Sequence, residues 1–211
     1  MSLIDDLIEE GWLKTPRIIA AFKKIKRKDF LPEGKKELAE IDEALSIGHG
    51  QTISQPLVVA FMIELLTPEE GEKILDVGTG SGWTSALLSE LVGEKGKIIA
   101  MEIVPELKEF GERNVSKYSF IEKGVVEFVC ADGSKGYPDI SSRPELREGF
   151  DKILCSATAE ELPENWKKQL KIGGKIVTPI GSSIWLFIKK SDSQFESKEY
   201  PGFAFVPLLS E

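Results

Sequence analysis

The stretch Lys73–Trp83, KILDVGTGSGW, constrains this chain more than any other. An apolar run (Ile74, Leu75, Val77) carries one acidic residue, Asp76, and then breaks into Gly78, Gly80 and Gly82. An amphipathic run, Trp83 to Leu91, follows and reads as a helix. Strand, glycine loop and helix open a nucleotide-binding βα unit. Glycine permits positive φ in a tight turn and lets a ligand approach bare backbone. The helix N-terminus after it offers free N–H groups and the positive end of a dipole.

The rest of the chain repeats the alternation. Strands are expected at Lys97–Met101, Val125–Cys130 and Asp151–Cys155, with a helix from Pro105 to about Lys117. Ser134–Gly149 reads as an irregular loop, and Glu161–Leu170 as a helix closed by Gly173-Gly174. Lys175–Pro179 and Ile184–Lys189 pair across a turn at Gly181–Ser183, and Phe203–Val206 reads as a last short strand. Alternating strands and helices imply a parallel sheet with helices on both faces. The late strand–turn–strand pair implies an antiparallel edge. Ligands of such sheets lie at the C-terminal strand ends. Gly78–Gly82, Glu102, Asp132 and Ser156 with Thr158 all fall there.

Before the glycine loop, residues 3–11 and 16–25 have helical periodicity, with Thr15 as a cap and Pro16 in the first turn. Lys23, Lys24, Lys26, Arg27 and Lys28 read as a solvated helix face. Residues 1–55 form a helical cap and 56–211 an α/β core, together a single domain. Ile47–Pro56, IGHGQTISQP, is a glycine-flanked loop dense in hydrogen-bonding groups before an apolar helix, Leu57–Leu66. Ser54 suits either a helix cap or the wall of a ligand site. His49, the one histidine, reads as a loop or wall residue, with direct substrate contact as the alternative.

Composition narrows the partners. The 211 residues are 41% hydrophobic and 29% charged, with net charge −8. That charge disfavours sequence-independent binding to nucleic-acid phosphate. No apolar run approaches the roughly 20 residues of a membrane helix. The acidic N-terminal residues do not follow the order of a signal peptide. Cys130 and Cys155 sit in expected buried strands without a metal-ligand pattern, which suits a reducing cytoplasm. A monomer or weak oligomer is expected, with no metal and no membrane partner.

The glycine spacing excludes two nucleotide classes. A dinucleotide fingerprint needs glycine or alanine at position 83, where Trp83 stands. A phosphate-binding GxxxxGK[ST] is absent. D-x-G-x-G-x-G followed by an acidic residue at the next strand end instead resembles the S-adenosyl-L-methionine loop of class I methyltransferases. Glu102 then suits the two ribose hydroxyls, Asp132 the adenine amino group, and Gly78 with Gly80 the methionine part.

The resemblance extends further. GHGQTIS, DVGTGSGW, ADGSKGYP, FDKILCSATAEELPENWKKQLKIGGKIVTPIG and the terminal FVPL are together similar to the protein-L-isoaspartate O-methyltransferase family, in consistent order from about residue 5 to residue 208. The resemblance implies a doubly wound, mostly parallel Rossmann-like methyltransferase sheet. It implies S-adenosyl-L-methionine as cofactor, with Thr52, Ile53, Asp76, Gly78, Thr79, Gly80, Ser81, Glu102, Ile103, Asp132 and Gly133 around it. It places Ser54 at the reacting carboxylate of an isoaspartyl residue in a damaged protein or peptide. The product is a methyl ester that closes to a succinimide without the enzyme. A carboxylate is already ionised at neutral pH, so no catalytic base is required. Alignment of the reactants supplies much of the acceleration.

Four positions depart from the family pattern. Gln55, Leu57 and Val59 stand where Ala and two histidines are common, and Glu160 stands where proline is common. Two other readings share the fold: a methyltransferase with another acceptor, and a cofactor-binding protein without isoaspartyl activity.

Overall fold

The computed structural model describes residues 2–138 and 140–210. Its central sheet has seven strands in the order β5-β4-β3-β6-β7-β8-β9. They are β3 (Lys73–Val77), β4 (Lys97–Glu102), β5 (Val126–Cys130), β6 (Phe150–Cys155), β7 (Leu170–Ile180), β8 (Ser183–Lys189) and β9 (Phe195–Pro201). The first five run parallel, while β7–β8 and β8–β9 are antiparallel. From β3 the chain steps to β4 and β5 on one side, then returns to place β6 on the other. The order reverses at β3 and β6, which opens a crevice at their C-terminal ends.

Period-two alternation divides the sheet between two cores. Ile74, Ile98, Ala100, Leu154 and Val177 face one cluster with the helices α2 (Pro16–Lys24), α3 (Pro56–Leu66) and α4 (Trp83–Val92). Leu75, Val77, Ile99, Met101, Ile153 and Cys155 face the other, with Tyr137, Leu146 and Trp166. The strands are apolar on both faces because both faces are covered. Asp76, between Leu75 and Val77, therefore points to the α4 side, where a polar partner is required.

The N-terminal segment, with helices α1 (Leu3–Glu9) and α2, is fastened to the core by polar bonds across its helix ends. Thr15 is the N-cap of α2, but its side chain does not cap that helix. Its Oγ1 donates to Glu64 of α3 at 2.7 Å, and the N–H groups of Lys14 and Thr15 donate to the same carboxylate. Arg17 donates to the carbonyl of Leu91 at the end of α4. Phe30 stacks on Tyr118, just beyond α5 (Pro105–Ser116), with ring centroids 5.8 Å apart.

Several local expectations are corrected. The segment expected as a purely helical cap with a loop contains a two-stranded hairpin, β1 (Leu45–Gly48) and β2 (Gln51–Ile53). His49 and Gly50 turn it with φ of 52° and 70°. Two successive positive φ values match the twist of a tight hairpin, and Gly50 is suited to one of them. The helix expected at 161–170 is only α6 (Glu164–Gln169). Gly173-Gly174 does not close it but lies within β7, where the register against β6 shifts. Phe203–Val206 is not a strand. The chain instead forms β9, a strand too polar to show its pattern, paired with β8, and then bridges Thr158 to Pro207. Cys155 is buried as expected, whereas Cys130 is exposed.

Candidate functional site

A cleft of about 690 Å³, its open mouth included, lies at the C-terminal ends of β3, β4 and β6. The loop Gly78–Gly82 forms its floor. Gly78, Gly80 and Gly82 have φ of 72°, 49° and 82°. At such values any side chain is strained, so the alternate glycines are a backbone requirement of this turn. The N–H groups of Gly78 and Thr79 donate to the carbonyl of Met101, which anchors the loop to β4.

Glu102 closes the next side. It is 6% exposed yet lines the cleft. Its Oε2 accepts from the Gly80 N–H at 2.9 Å, and its Oε1 from the Val104 N–H at 3.0 Å. One backbone donor on each oxygen fixes the carboxylate plane and leaves further acceptor capacity on both. A vicinal diol presents two donors at the matching spacing. The carboxylate and the bare glycine backbone therefore fit a ribose with an adjoining chain.

The hairpin β1–β2 forms the opposite wall. Ile47 Cδ1 stands 3.2 Å from where a Cβ on Gly80 would be, so the hairpin rests on the glycine loop. Thr52, Ile53 and Ser54 line the cleft from this side. The Ser54 hydroxyl makes no hydrogen bond to another described residue and does not cap α3, whose N-cap is Gln55. Thr79, Ser81, Ile103 and Gly133 also line the cleft.

Asp76 and Asp132, both expected at the cofactor, stand behind the lining. Asp76 is fully buried and accepts from the Ser85 hydroxyl of α4 at 2.6 Å, while its Oδ1 has no partner among the described residues. Burial foremost, with Glu102 adding to it, pushes its carboxyl up to about 7 against the opposing bond from Ser85. Asp132 is 7% exposed. Its Oδ1 accepts from the N–H and hydroxyl of Ser134, and its Oδ2 pairs with Lys135 at 3.1 Å. This is an Asx turn, which aims the neighbouring Gly133 at the cleft.

The family departures fall mostly outside the lining. Gln55 is turned away from the cleft: its Nε2 donates to Asp42 Oδ2 at 3.0 Å, and the Leu57 N–H donates to Asp42 Oδ1 at 2.8 Å. Val59 does line the cleft, whereas Leu57 and Glu160 do not. Glu160 is exposed.

Three contributors were not legible beforehand. Val206 to Leu209 line the cleft, held by the Thr158 N–H to the Val206 carbonyl and the Leu208 N–H to the Thr158 carbonyl, each 2.8 Å. Trp83, read only as an obstacle to a dinucleotide, is 3% exposed and forms part of the wall. Arg27, read with four lysines as a solvated face, is 6% exposed, while its lysine neighbours are exposed. No local pattern separates it from them. No group of His, Cys, Asp and Glu among the described residues could hold a metal.

Fold and cleft define a Rossmann-like methyltransferase. A Plasmodium falciparum structure described as a protein-L-isoaspartate O-methyltransferase in complex with S-adenosyl-L-homocysteine has this fold, with a TM-score of 0.85, 98% of this chain and 96% of that chain covered, and 23% identity. The model of the Protein-L-isoaspartate(D-aspartate) O-methyltransferase family matches residues 1–211, and the chain belongs to that family. Protein-L-isoaspartate O-methyltransferases of Methanopyrus kandleri and Thermococcus onnurineus are 40% and 41% identical to it. Each match covers 99% of this chain, and 90% and 92% of the relatives.

Proposed function

We propose that the cleft carries out S-adenosyl-L-methionine-dependent methylation of the free carboxylate of L-isoaspartyl residues in damaged proteins and peptides. Family membership supports the reaction. The single structural observation that carries the site assignment is Glu102, fixed by two backbone N–H groups beside bare glycine backbone.

The bound cofactor supplies an electrophilic methyl group on a sulfonium sulfur. Glu102 accepts from the ribose hydroxyls, and Gly78 and Gly80 admit the methionine part against backbone. Thr52, Ile53, Thr79, Ser81 and Ile103 complete its walls, and Gly133 the adenine end. Asp132, directly before Gly133, accepts from the adenine amino group. Asp76 acts from beneath, through Ser85 and α4, rather than by contact.

Ser54 donates its uncommitted hydroxyl to the isoaspartyl carboxylate and aims one oxygen at the methyl carbon. That oxygen forms the new bond as the methyl–sulfur bond breaks, and the electron pair stays on sulfur. No proton is transferred, so the reaction asks no lining residue to act as a base. Closure to the succinimide then needs no residue of this chain.

No helix among the described residues is long and apolar enough to cross a membrane. The free thiols and net charge of −8 support a cytoplasmic protein that does not bind nucleic acid and acts as a monomer or weak oligomer.

The test compares methyl-ester formation on an isoaspartyl peptide and on the same peptide with normal aspartate. Ester on the isoaspartyl peptide alone is expected. No ester on either, with tight S-adenosyl-L-homocysteine binding by calorimetry, overturns the reading. In the same assay Ser54→Ala lowers kcat; undiminished turnover removes Ser54 from the mechanism.

A further inference from the structure

Arg27 occupies an unusual position for a charged residue. It opens the 3-10 turn Arg27–Phe30 just after α2 and is 6% exposed. Its guanidinium forms no ion pair among the described residues. It is spent on main-chain carbonyls instead: Nη1 donates to Ala39 at 3.2 Å and Ile41 at 2.8 Å, and Nη2 to Glu43 at 2.6 Å and Ser54 at 3.3 Å. Its carbon Cζ lies 5.6 Å from the centroid of the Trp83 ring. Trp83 is the first residue of α4, directly after Gly82 of the glycine loop.

These contacts join two parts of the cleft that are distant in sequence. Ser54 belongs to the hairpin wall, and Trp83 to the helix that follows the floor. The carbonyls of 39–43 belong to the segment that enters the hairpin. In the same segment Asp42 holds Gln55 and the N–H of Leu57. A planar fork with fixed donor directions can satisfy this set; an ammonium group on a flexible stem cannot reproduce it.

We propose that Arg27 is a positioning residue for methyl transfer: its guanidinium, seated on Trp83, fixes the Ser54 wall relative to the glycine loop. The proposal rests on the assignment of Ser54 to the acceptor carboxylate. Arg27 touches neither reactant. It acts through Ser54, and catalysis by alignment is sensitive to such placement, where a displacement of about 1 Å can cost on the order of a hundredfold in rate. The cofactor contacts through Glu102, Gly78 and Gly80 do not pass through Arg27, and only Thr52 and Ile53 of the cofactor walls share the hairpin with Ser54, so turnover falls far more than cofactor affinity.

Arg27→Lys and Arg27→Ala are compared with wild type on an isoaspartyl peptide, with S-adenosyl-L-homocysteine affinity by calorimetry and folding by circular dichroism. The expected result is a kcat lowered at least about tenfold in both, with affinity for S-adenosyl-L-homocysteine within about threefold of wild type. Methylguanidinium added to Arg27→Ala restores part of the lost kcat, a readout that a general loss of stability would not give. If Arg27→Ala does not fold, the split between turnover and affinity in Arg27→Lys decides. A kcat in Arg27→Lys equal to wild type overturns the proposal. So does a parallel loss of kcat, affinity and folded fraction without rescue. Absence of ester with wild-type protein overturns the functional reading and this role with it, whereas wild-type turnover retained in the variants overturns the role of Arg27 alone.

Discussion

Gly82 and Gly111 meet backbone against backbone. A Cβ on Gly82 would lie 2.8 Å from the Gly111 carbonyl oxygen, and one on Gly111 would lie 2.8 Å from the Gly80 carbonyl oxygen and 3.0 Å from the Phe128 ring. Asn114, one turn further along α5, donates to the Ser81 carbonyl at 3.0 Å. The floor of the cleft is thus supported by α5. The close approach that a dinucleotide fold achieves between helix and strand occurs here between loop and second helix, which is why the bulky Trp83 is tolerated.

Gly111→Ala should therefore loosen the floor. The obstruction is backbone, which cannot turn aside like a long side chain. Such overpacking costs about 1–3 kcal/mol, against which the gain in helix propensity is about 1 kcal/mol. A drop in Tm and weaker S-adenosyl-L-homocysteine binding are expected by thermal melting and calorimetry. Gly34→Ala, where no atom lies within 4 Å and φ is not positive, is the control and should leave both unchanged.

Glu102→Ala removes the proposed ribose acceptor and leaves the Gly80 N–H without its partner. Loss of a charged hydrogen-bond partner costs roughly 1.5–3 kcal/mol, or on the order of ten- to a hundredfold in Kd. Calorimetry with S-adenosyl-L-homocysteine measures it. Unchanged affinity contradicts the ribose assignment.

Asp76 makes the fold sensitive to pH in a defined direction. Its carboxyl is raised to about 7 in the folded chain, from an ordinary value of 3.8. The folded state holds that proton more tightly than the unfolded state. The contribution to stability is complete below about pH 4 and is lost as pH rises through about 7. Its size is a few kcal/mol at about 1.4 kcal/mol per pH unit. Urea unfolding of wild type and Asp76→Asn across this window should show wild type losing stability relative to the variant as pH rises; parallel curves disprove it.

Asp42 and Gln55 give a contrast within the departures from the family pattern. Because the Gln55 amide is turned onto Asp42, Gln55→Ala should change kcat and KM less than about twofold. Asp42→Ala strands both the Gln55 amide and the Leu57 N–H, and should cost about 1–3 kcal/mol of stability. Steady-state kinetics and melting curves separate the two.

We propose that residues 1–55 and 56–211 fold as one unit. The Phe30–Tyr118 stack, the Glu64 bonds to Lys14 and Thr15, and the Arg17–Leu91 bond cross between them. Far-ultraviolet and near-ultraviolet unfolding transitions should coincide. Phe30→Ala, at a fully buried position, should lower the whole transition by about 3–5 kcal/mol. A separate early transition of the N-terminal segment disproves the unit.

The parallel core was legible because its signals are local. Apolar runs at β3, β4 and β6, the alternate glycines and the acidic residue ending β4 each impose their structure within a few residues. The strand at 195–201 was not legible. FESKEYP carries charge at an exposed edge, and only β8 beside it makes it a strand. The lysines around Arg27 hid it for the same kind of reason: burial depends on which carbonyls arrive from residues 39–54, and no neighbour in sequence encodes that.

The sequence by itself determined the glycine turn of Lys73–Trp83, the order of strands and helices that surrounds it, and the acid at position 102, because φ preference and hydrophobic period act over short distances. The tertiary structure alone decided what stands over that turn. It folded the Ile47 hairpin onto Gly80, pressed Gly111 against its underside, turned Gln55 away, and put Arg27 between Ser54 and Trp83. Those contacts join residues far apart in the chain. Their strength comes from backbone groups meeting in a space that only the packed molecule creates.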